Sequence, residues 1–157
     1  MTAILYRASA GVAGDVTRPD DTIVESAIMD TTNAPTAYGA PVKMVNGKIQ
    51  AFTATDDETA LYGILSRSVP SISGDLAQAF DDGTPNPAAP QGVVVQGYVL
   101  VKCKTPASAQ RGNQVVLLSG GEFSSMDEGP SDKYLPKLTF ASVGGADEEL
   151  AEIRVSI

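Results

Sequence analysis

The residues of this chain that could carry chemistry are carboxylates and a single thiol, because the sequence contains no histidine. That absence removes the usual general base, the Ser-His-Asp and Cys-His arrangements of nucleophilic catalysis, and the commonest zinc ligand. Cys103 is the one cysteine, so no intrachain disulfide can form, and its apolar strand context predicts an inert buried thiol. No nucleophile, base and orienting group come together, so the sequence predicts no catalytic residues and no enzymatic activity.

Three carboxylate clusters are the candidates for binding a cation, since oxygen ligands suit Ca²⁺. They are Asp56-Asp57-Glu58, Asp81-Asp82-Gly83 and Asp147-Glu148-Glu149. None has the ligand spacing of an EF-hand loop, so we interpret them as solvated acidic loops. The glycine pairs at 120–121 and 144–145 precede no helix and are interpreted as turns rather than phosphate cradles. The sequence therefore predicts no metal and no cofactor.

Composition and charge narrow the class of partner. The chain has 157 residues, 43% of them hydrophobic, and a net charge of −8. The excess of acidic over basic residues argues against binding to nucleic acid, because Lys and Arg are needed to neutralise its phosphates. No apolar run approaches the roughly 20 residues of a membrane span, and no signal peptide is evident at the start, so synthesis in the cytoplasm is expected.

The elements that must position these residues are β-strands, which the sequence predicts from residue 41 onward. Asn46-Gly47 lies between two alternating segments and is the strongest short hairpin signal. The closing segment places Ile153, Val155 and Ile157 on one face and Glu152, Arg154 and Ser156 on the other. Strands without intervening helical patterns predict an all-β, jelly-roll-like sandwich or barrel over 41–157. The connection at 71–92, rich in proline and glycine, is a candidate contact loop.

Residues 1–40 form a predicted extended N-terminal arm, because glycine and proline interrupt the segment too often for a long helix. Residues 22–29 are predicted to be a short strand or part of that arm. One hypothesis is that the arm lies on another protein chain. Its isolated apolar residues would then be partner-binding anchors: Val16, Ile23, Val24, Ile28 and Met29. The alternative, compatible with the first, is that the segment supplies the first strand of the protein's own sheet.

Several of these segments resemble the capsid cement, or head decoration, proteins of tailed bacteriophages. The shared elements are an extended N-terminal segment ending at Tyr-Gly-x-x-Val (38–42), a Gly-Tyr-Val-x-Val-Lys strand (97–102), an Arg-Gly turn (111–112) and a closing Glu-Ile-Arg-Val-x-Ile strand (152–157). The resemblance covers residues 14–157.

This resemblance implies a non-enzymatic structural protein on the capsid exterior of a virion, made in the bacterial host cytoplasm. It implies binding to the major capsid protein, bridging of its subunits, and a homo-oligomer, a dimer in preference to a trimer. The alternative function is a β-sandwich recognition module of a phage tail or fibre that binds host glycans or other phage proteins. Sedimentation with purified capsids discriminates between the two.

Overall fold

The computed structural model describes residues 12–67, 84–104, 109–126, 129–142 and 149–157. The predicted acidic loop at 81–83, the glycine pair at 144–145 and most of the 71–92 connection lie outside the described residues. The acidic cluster at 147–149 is described at Glu149 alone. Within the described ranges, no helix has the length and apolar character needed to cross a membrane.

Nine β-strands and two single-turn 3-10 helices form the regular structure of the described residues. The strands are β1 (Ile23–Met29), β2 (Pro41–Val45), β3 (Lys48–Ala51), β4 (Leu61–Leu65), β5 (Gln91–Lys102), β6 (Gln114–Leu117), β7 (Phe123–Ser124), β8 (Lys133–Phe140) and β9 (Leu150–Ser156). The 3-10 helices are Pro19–Asp21 and Glu58–Ala60. The prediction of an all-β class is confirmed.

The β2–β3 hairpin forms where the sequence predicts it. Asn46 and Gly47 connect the strands with φ angles of 51° and 76°. Both lie in the left-handed region that a type I′ turn requires, which Gly and Asn adopt at low cost. The turn fixes the register of the hairpin, in which Val45 pairs with Lys48 and Met44 with Ile49.

Five strands close into a barrel in the order β1-β3-β2-β4-β5, with β5 pairing back to β1. β1 closes the ring by pairing in parallel with β3 at Ile28 and Met29 and antiparallel with β5 over Ile23–Ala27. The strand prediction for residues 22–29 is therefore confirmed. The boundary at residue 40 stays a prediction, although β1 lies within the range 1–40 and is hydrogen-bonded into the sheet.

The remaining strands extend the sheet from the second half of β5. β9 pairs with β5 from Gln96 to Lys102, and β8, β6 and β7 follow in that order. β7 then returns to the end of β5, where Cys103 and Phe123 form a parallel bridge. β5 is thus the strand common to the five-stranded barrel and to the second group of strands.

Two apolar cores correspond to these two groups. The smaller core fills the barrel and contains Ala27, Met29, Val42, Ile49, Leu65 and Val93. The larger core lies among β4 to β9 and includes Phe123, Phe140, Leu135, Leu138, Ile153 and Val155. Cys103 is buried in the larger core, as predicted.

Gly97 is the point where β5 passes from one group of strands to the other. Its φ of +122° is unfavourable for residues with a side chain. A Cβ atom there would lie 2.3 Å from Thr22 Oγ1 and 2.5 Å from Thr22 Cα. The absence of a side chain therefore lets the chain before β1 lie directly against β5.

Replacing Gly97 by alanine is expected to destabilise the protein. The backbone conformation alone costs about 1–2 kcal/mol for a residue with a Cβ atom, and the contact with Thr22 adds to that cost. In a chain of this size each 1 kcal/mol lowers the melting temperature by about 2–4 °C, so we expect the backbone cost alone to lower it by roughly 2–8 °C. Gly120→Ala is the matched control, because a Cβ atom at Gly120 meets nothing within 4 Å. Equal melting temperatures for the two variants would contradict this interpretation of Gly97.

Candidate functional site

The outer surface of β1 carries a cluster of exposed aliphatic side chains. Ile23, Val24 and Ile28 are 52%, 47% and 58% exposed. Seven large hydrophobic side chains are exposed among the described residues, and three of them belong to this one seven-residue strand. We call these three residues the β1 strip. Clustered exposed apolar side chains mark a surface suited to binding another molecule.

Strand alternation and one irregularity together produce the β1 strip. Ala27 and Met29 point into the barrel core, so Ile28 between them points outward. Ile23 and Val24 are adjacent and would face opposite sides of a regular strand. The pairing with β5 shifts register between them, and both are exposed. The strip therefore combines residues that perfect alternation would separate.

Gly92 of β5 helps to shape this surface. A Cβ atom at Gly92 would lie 2.9 Å from Val24 Cγ1, so the Val24 side chain occupies the space that glycine leaves. β3 pairs with β1 at Ile28 and Met29 alone. Among the described strands, none follows the edge of residues 23–27 that faces away from β5. The first half of the strip is thus open along one edge.

Glu25 alternates with Val24 and Ile28 and lies on the other face of β1, the face of Ala27 and Met29. The Tyr62 hydroxyl donates a hydrogen bond to Glu25 Oε2. This hydrogen bond, together with burial, raises the pKa of Tyr62 above its ordinary value. The β1 strip is therefore apolar, and the carboxylate of Glu25 is held by Tyr62 on the other face of the strand.

Backbone hydrogen bonds hold the segment before β1 against the second half of β5. The Gly14 amide donates to the Leu100 carbonyl oxygen over 2.8 Å, and the Leu100 amide donates to the Asp15 carbonyl oxygen over 3.0 Å. Val16 forms a bridge with Val99 and packs against the larger core. These contacts fix the direction in which the chain enters β1.

An ion pair between Arg18 and Glu152 joins the same segment to β9. Its Nη2 donates to Glu152 Oε2 over 3.0 Å and its Nε to Glu152 Oε1 over 3.2 Å, while Thr17 also donates to this carboxylate. The guanidinium stacks 4.0 Å from the centre of the Tyr98 ring. The hydrogen bonds to Glu152 raise the pKa of Arg18, against the effect of burial. Glu152, on the predicted outer face of β9, is consequently buried beneath residues 17 and 18.

Three of the five predicted anchor residues are exposed, and the other two pack against the protein's own cores. Ile23, Val24 and Ile28 lie together on the β1 strip. Met29 is 1% exposed inside the barrel core, and Val16 is half-buried against the larger core. Sequence analysis did not single out Arg18, and no local signal could have done so, because its partner Glu152 is 134 residues away.

The acidic cluster at 56–58 stabilises its own loop. Asp56 accepts hydrogen bonds from Lys43 Nζ over 2.6 Å and from the Thr53 amide over 2.8 Å. Asp57 caps the second 3-10 helix by accepting from the Thr59 amide over 2.8 Å. Burial of Asp56 opposes ionisation, but the hydrogen bonds from Lys43 and Thr53 outweigh it and lower the pKa of the carboxyl group.

Comparison with known proteins connects this fold to a family. Residues 2–156 match the family described as structural cement protein (E217 gp24/Pam3 gp6). The chain is also similar to a solved structure described as the capsid of Myoviridae phage XM1. That match has a TM-score of 0.71 and 18% sequence identity, and it covers 98% of this chain and 95% of that chain. At this identity the likeness shows a shared fold. A search of curated proteins found no match.

The Asp56 network predicts a pH-dependent contribution to stability. Because the pKa of Asp56 is lowered on folding, its contribution is complete above the unfolded-state pKa of about 3.9 and disappears as the pH falls through the folded-state value. We expect Asp56→Asn to lower the free energy of unfolding at pH 7 by about 1–2 kcal/mol. The difference from the unsubstituted protein should shrink as the pH is lowered through the folded-state pKa of Asp56, because both side chains are then uncharged.

Thermal unfolding at pH 7 and at low pH measures this difference. Glu58→Gln removes a neighbouring exposed carboxylate and is the control, with little expected change at either pH. A destabilisation by Asp56→Asn of equal size at both pH values would contradict a role for the ionised carboxylate.

Proposed function

The chain belongs to the structural cement protein family of phage capsids, and from this premise we propose that it binds the capsid exterior and stabilises the phage head by bridging subunits of the major capsid protein. The observation that carries this proposal is the β1 strip, which presents exposed aliphatic side chains on an ordered strand. In this proposal the β1 strip is the surface that contacts the coat protein.

The β1 strip can supply useful binding energy with little ordering cost. Complete burial of an aliphatic side chain is worth about 1.5–3 kcal/mol, and each residue of the strip is already about half buried. Covering all three would therefore contribute about 3 kcal/mol, or roughly a hundredfold in affinity. β1 is held by β3 and β5 before binding, so little conformational entropy is lost when a partner covers it.

Two of the predicted anchor residues are assigned a structural role and no direct contact with the partner. Met29 and Val16 pack within the protein's own cores and hold the barrel and the preceding segment in place. They support the surface, and the contact itself is assigned to Ile23, Val24 and Ile28. The dimer that the family resemblance implies stays a prediction, which sedimentation equilibrium of the purified protein measures.

Charged substitutions on the β1 strip are expected to weaken capsid binding without unfolding the protein. Val24→Asp and Ile28→Asp each remove apolar contact area and place a carboxylate where the partner must exclude water. We expect each to lower the affinity for purified capsids about tenfold or more. Because both side chains are exposed in the free protein, the melting temperature should change little. Co-sedimentation with capsids that lack the protein measures the affinity.

Two control variants make this experiment decisive. Met126→Asp changes a side chain that is 54% exposed but lies outside β1, and it should leave capsid binding unchanged. Met29→Asp places a charge in the barrel core and should lower the melting temperature strongly. Capsid binding by Val24→Asp and Ile28→Asp at full strength would reject the β1 strip as the contact. Association of the unsubstituted protein with tails or fibres but not with capsids would instead favour a recognition module.

A further inference from the structure

A second surface of different chemistry lies on the outer face of β5, β9 and β8. Tyr98, Arg154 and Thr139 stand directly opposite one another on these three adjacent strands. Together with Arg18 and Arg111 they line a cleft of about 120 Å³. We call this the arginine cleft. It holds three of the chain's five arginines.

Each arginine of the cleft is positioned by a different structural element. Arg154 points outward from β9 because Ile153 and Val155 on either side of it fill the core. Arg111 lies in the turn before β6, which is held by a 2.8 Å hydrogen bond from the Gly112 amide to the Phe140 carbonyl oxygen. Arg18 is held by Glu152 and Tyr98. The cleft is therefore formed by parts of the chain that are distant in sequence.

The cleft carries excess positive charge on an acidic protein. Glu152 balances Arg18, and Asp21 lies close enough to act on the Arg18 charge as well. Arg111 and Arg154 are exposed, and among the described residues no carboxylate lies within ion-pair distance of either. Two guanidinium groups thus face one small cleft on a chain whose net charge is −8. Like charges brought together in this way favour an anionic ligand.

The chemistry of the cleft points to a carboxylate. A guanidinium presents a planar set of N–H donors that matches a carboxylate in a two-point hydrogen bond, and the Thr139 hydroxyl can add a further contact. A cleft of about 120 Å³ has room for an acidic side chain but not for a folded element. Two exposed arginines on an acidic protein are too few to follow a nucleic-acid backbone, whose binding grows with the number of phosphates neutralised.

The cleft adjoins the start of the β1 strip. The Thr22 hydroxyl accepts a 3.1 Å hydrogen bond from the Tyr98 amide and donates over 2.7 Å to the Arg18 carbonyl oxygen, and Thr22 immediately precedes Ile23. A partner that covers Ile23 is therefore next to the cleft. A partner that covers the β1 strip can therefore also supply the occupant of the cleft.

We propose that the arginine cleft receives an Asp or Glu side chain from an acidic segment of the coat protein, and that this contact fixes the orientation in which the β1 strip meets the capsid. The coat protein as source of the carboxylate rests on the proposed function, whereas the affinity of the cleft for a carboxylate does not. Apolar contact supplies affinity, and the charged contact selects orientation and accelerates encounter.

Capsid co-sedimentation with Arg111→Gln and Arg154→Gln tests the proposal in the full chain. We expect each variant to lower the affinity about tenfold at low salt, the lower end of the effect of a close charge pair across an interface. The loss should become smaller at about 0.5 M salt, where charge interactions are screened. Both side chains are exposed, so melting temperatures should be unchanged. Lys104→Gln removes one exposed positive charge just after β5, outside the cleft and outside the β1–β3 pairing that carries the β1 strip, and should have little effect.

The outcomes separate the two proposals. If the unsubstituted protein does not bind capsids, the proposed function fails. If it binds, and Ile28→Asp weakens binding while Arg111→Gln and Arg154→Gln do not at either salt concentration, the cleft proposal alone fails. Equal losses for Lys104→Gln and the cleft variants would also overturn it, because net charge would then explain the effect.

A direct titration tests the cleft without capsids. Nuclear magnetic resonance of the arginine Nε–H groups should show shifts at the cleft when a capped triglutamate peptide is added, and none with the matching triglutamine peptide. Arg154→Gln should abolish the response. Inorganic phosphate and a duplex DNA oligonucleotide are the competing probes. A response to phosphate or DNA without one to triglutamate would overturn the assignment to a carboxylate.

Discussion

The continuity of β5 is the constraint on which both halves of the molecule depend. Over Gln91–Lys102 its backbone must find hydrogen-bond partners on both edges, and those partners change along its length. Val93 and Val94 each pair with β1 on one side and β4 on the other, whereas the residues after Gln96 pair with β9. A slip of one residue would reverse the faces of every side chain and expose both cores at once.

β5 also provides the backbone groups that hold the N-terminal segment in place. Tyr98 and Leu100 use their backbone groups to hold the residues before β1, and the Arg18–Glu152 ion pair joins the same residues to β9. A segment with isolated apolar residues is thereby ordered by the protein's own sheet. The two proposed contact surfaces meet at Thr22, which the missing side chain of Gly97 allows to lie against β5. An apolar surface and a cationic one are thus held in a fixed relation before any partner binds.

The sequence by itself determined the features that depend on neighbouring residues. Asn46 and Gly47 specify the β2–β3 hairpin because few other residue pairs adopt two consecutive positive φ angles at low cost. The alternation around Ile153 and Val155 predicts a strand with one buried face. These inferences succeed because backbone preference and side-chain alternation act over only a few residues.

Only the tertiary structure decided which residues those strands bring together. Ile28 and Met29 are adjacent apolar residues, and pairing with β3 and β5 alone determines that one is exposed and the other fills the barrel. Burial of Glu152 depends on Arg18, 134 residues away, and the arginine cleft unites parts of the chain that share no sequence pattern. The physical reason is that strand register and order across the sheet are set by long-range backbone pairing and core packing, which local sequence periodicity does not encode.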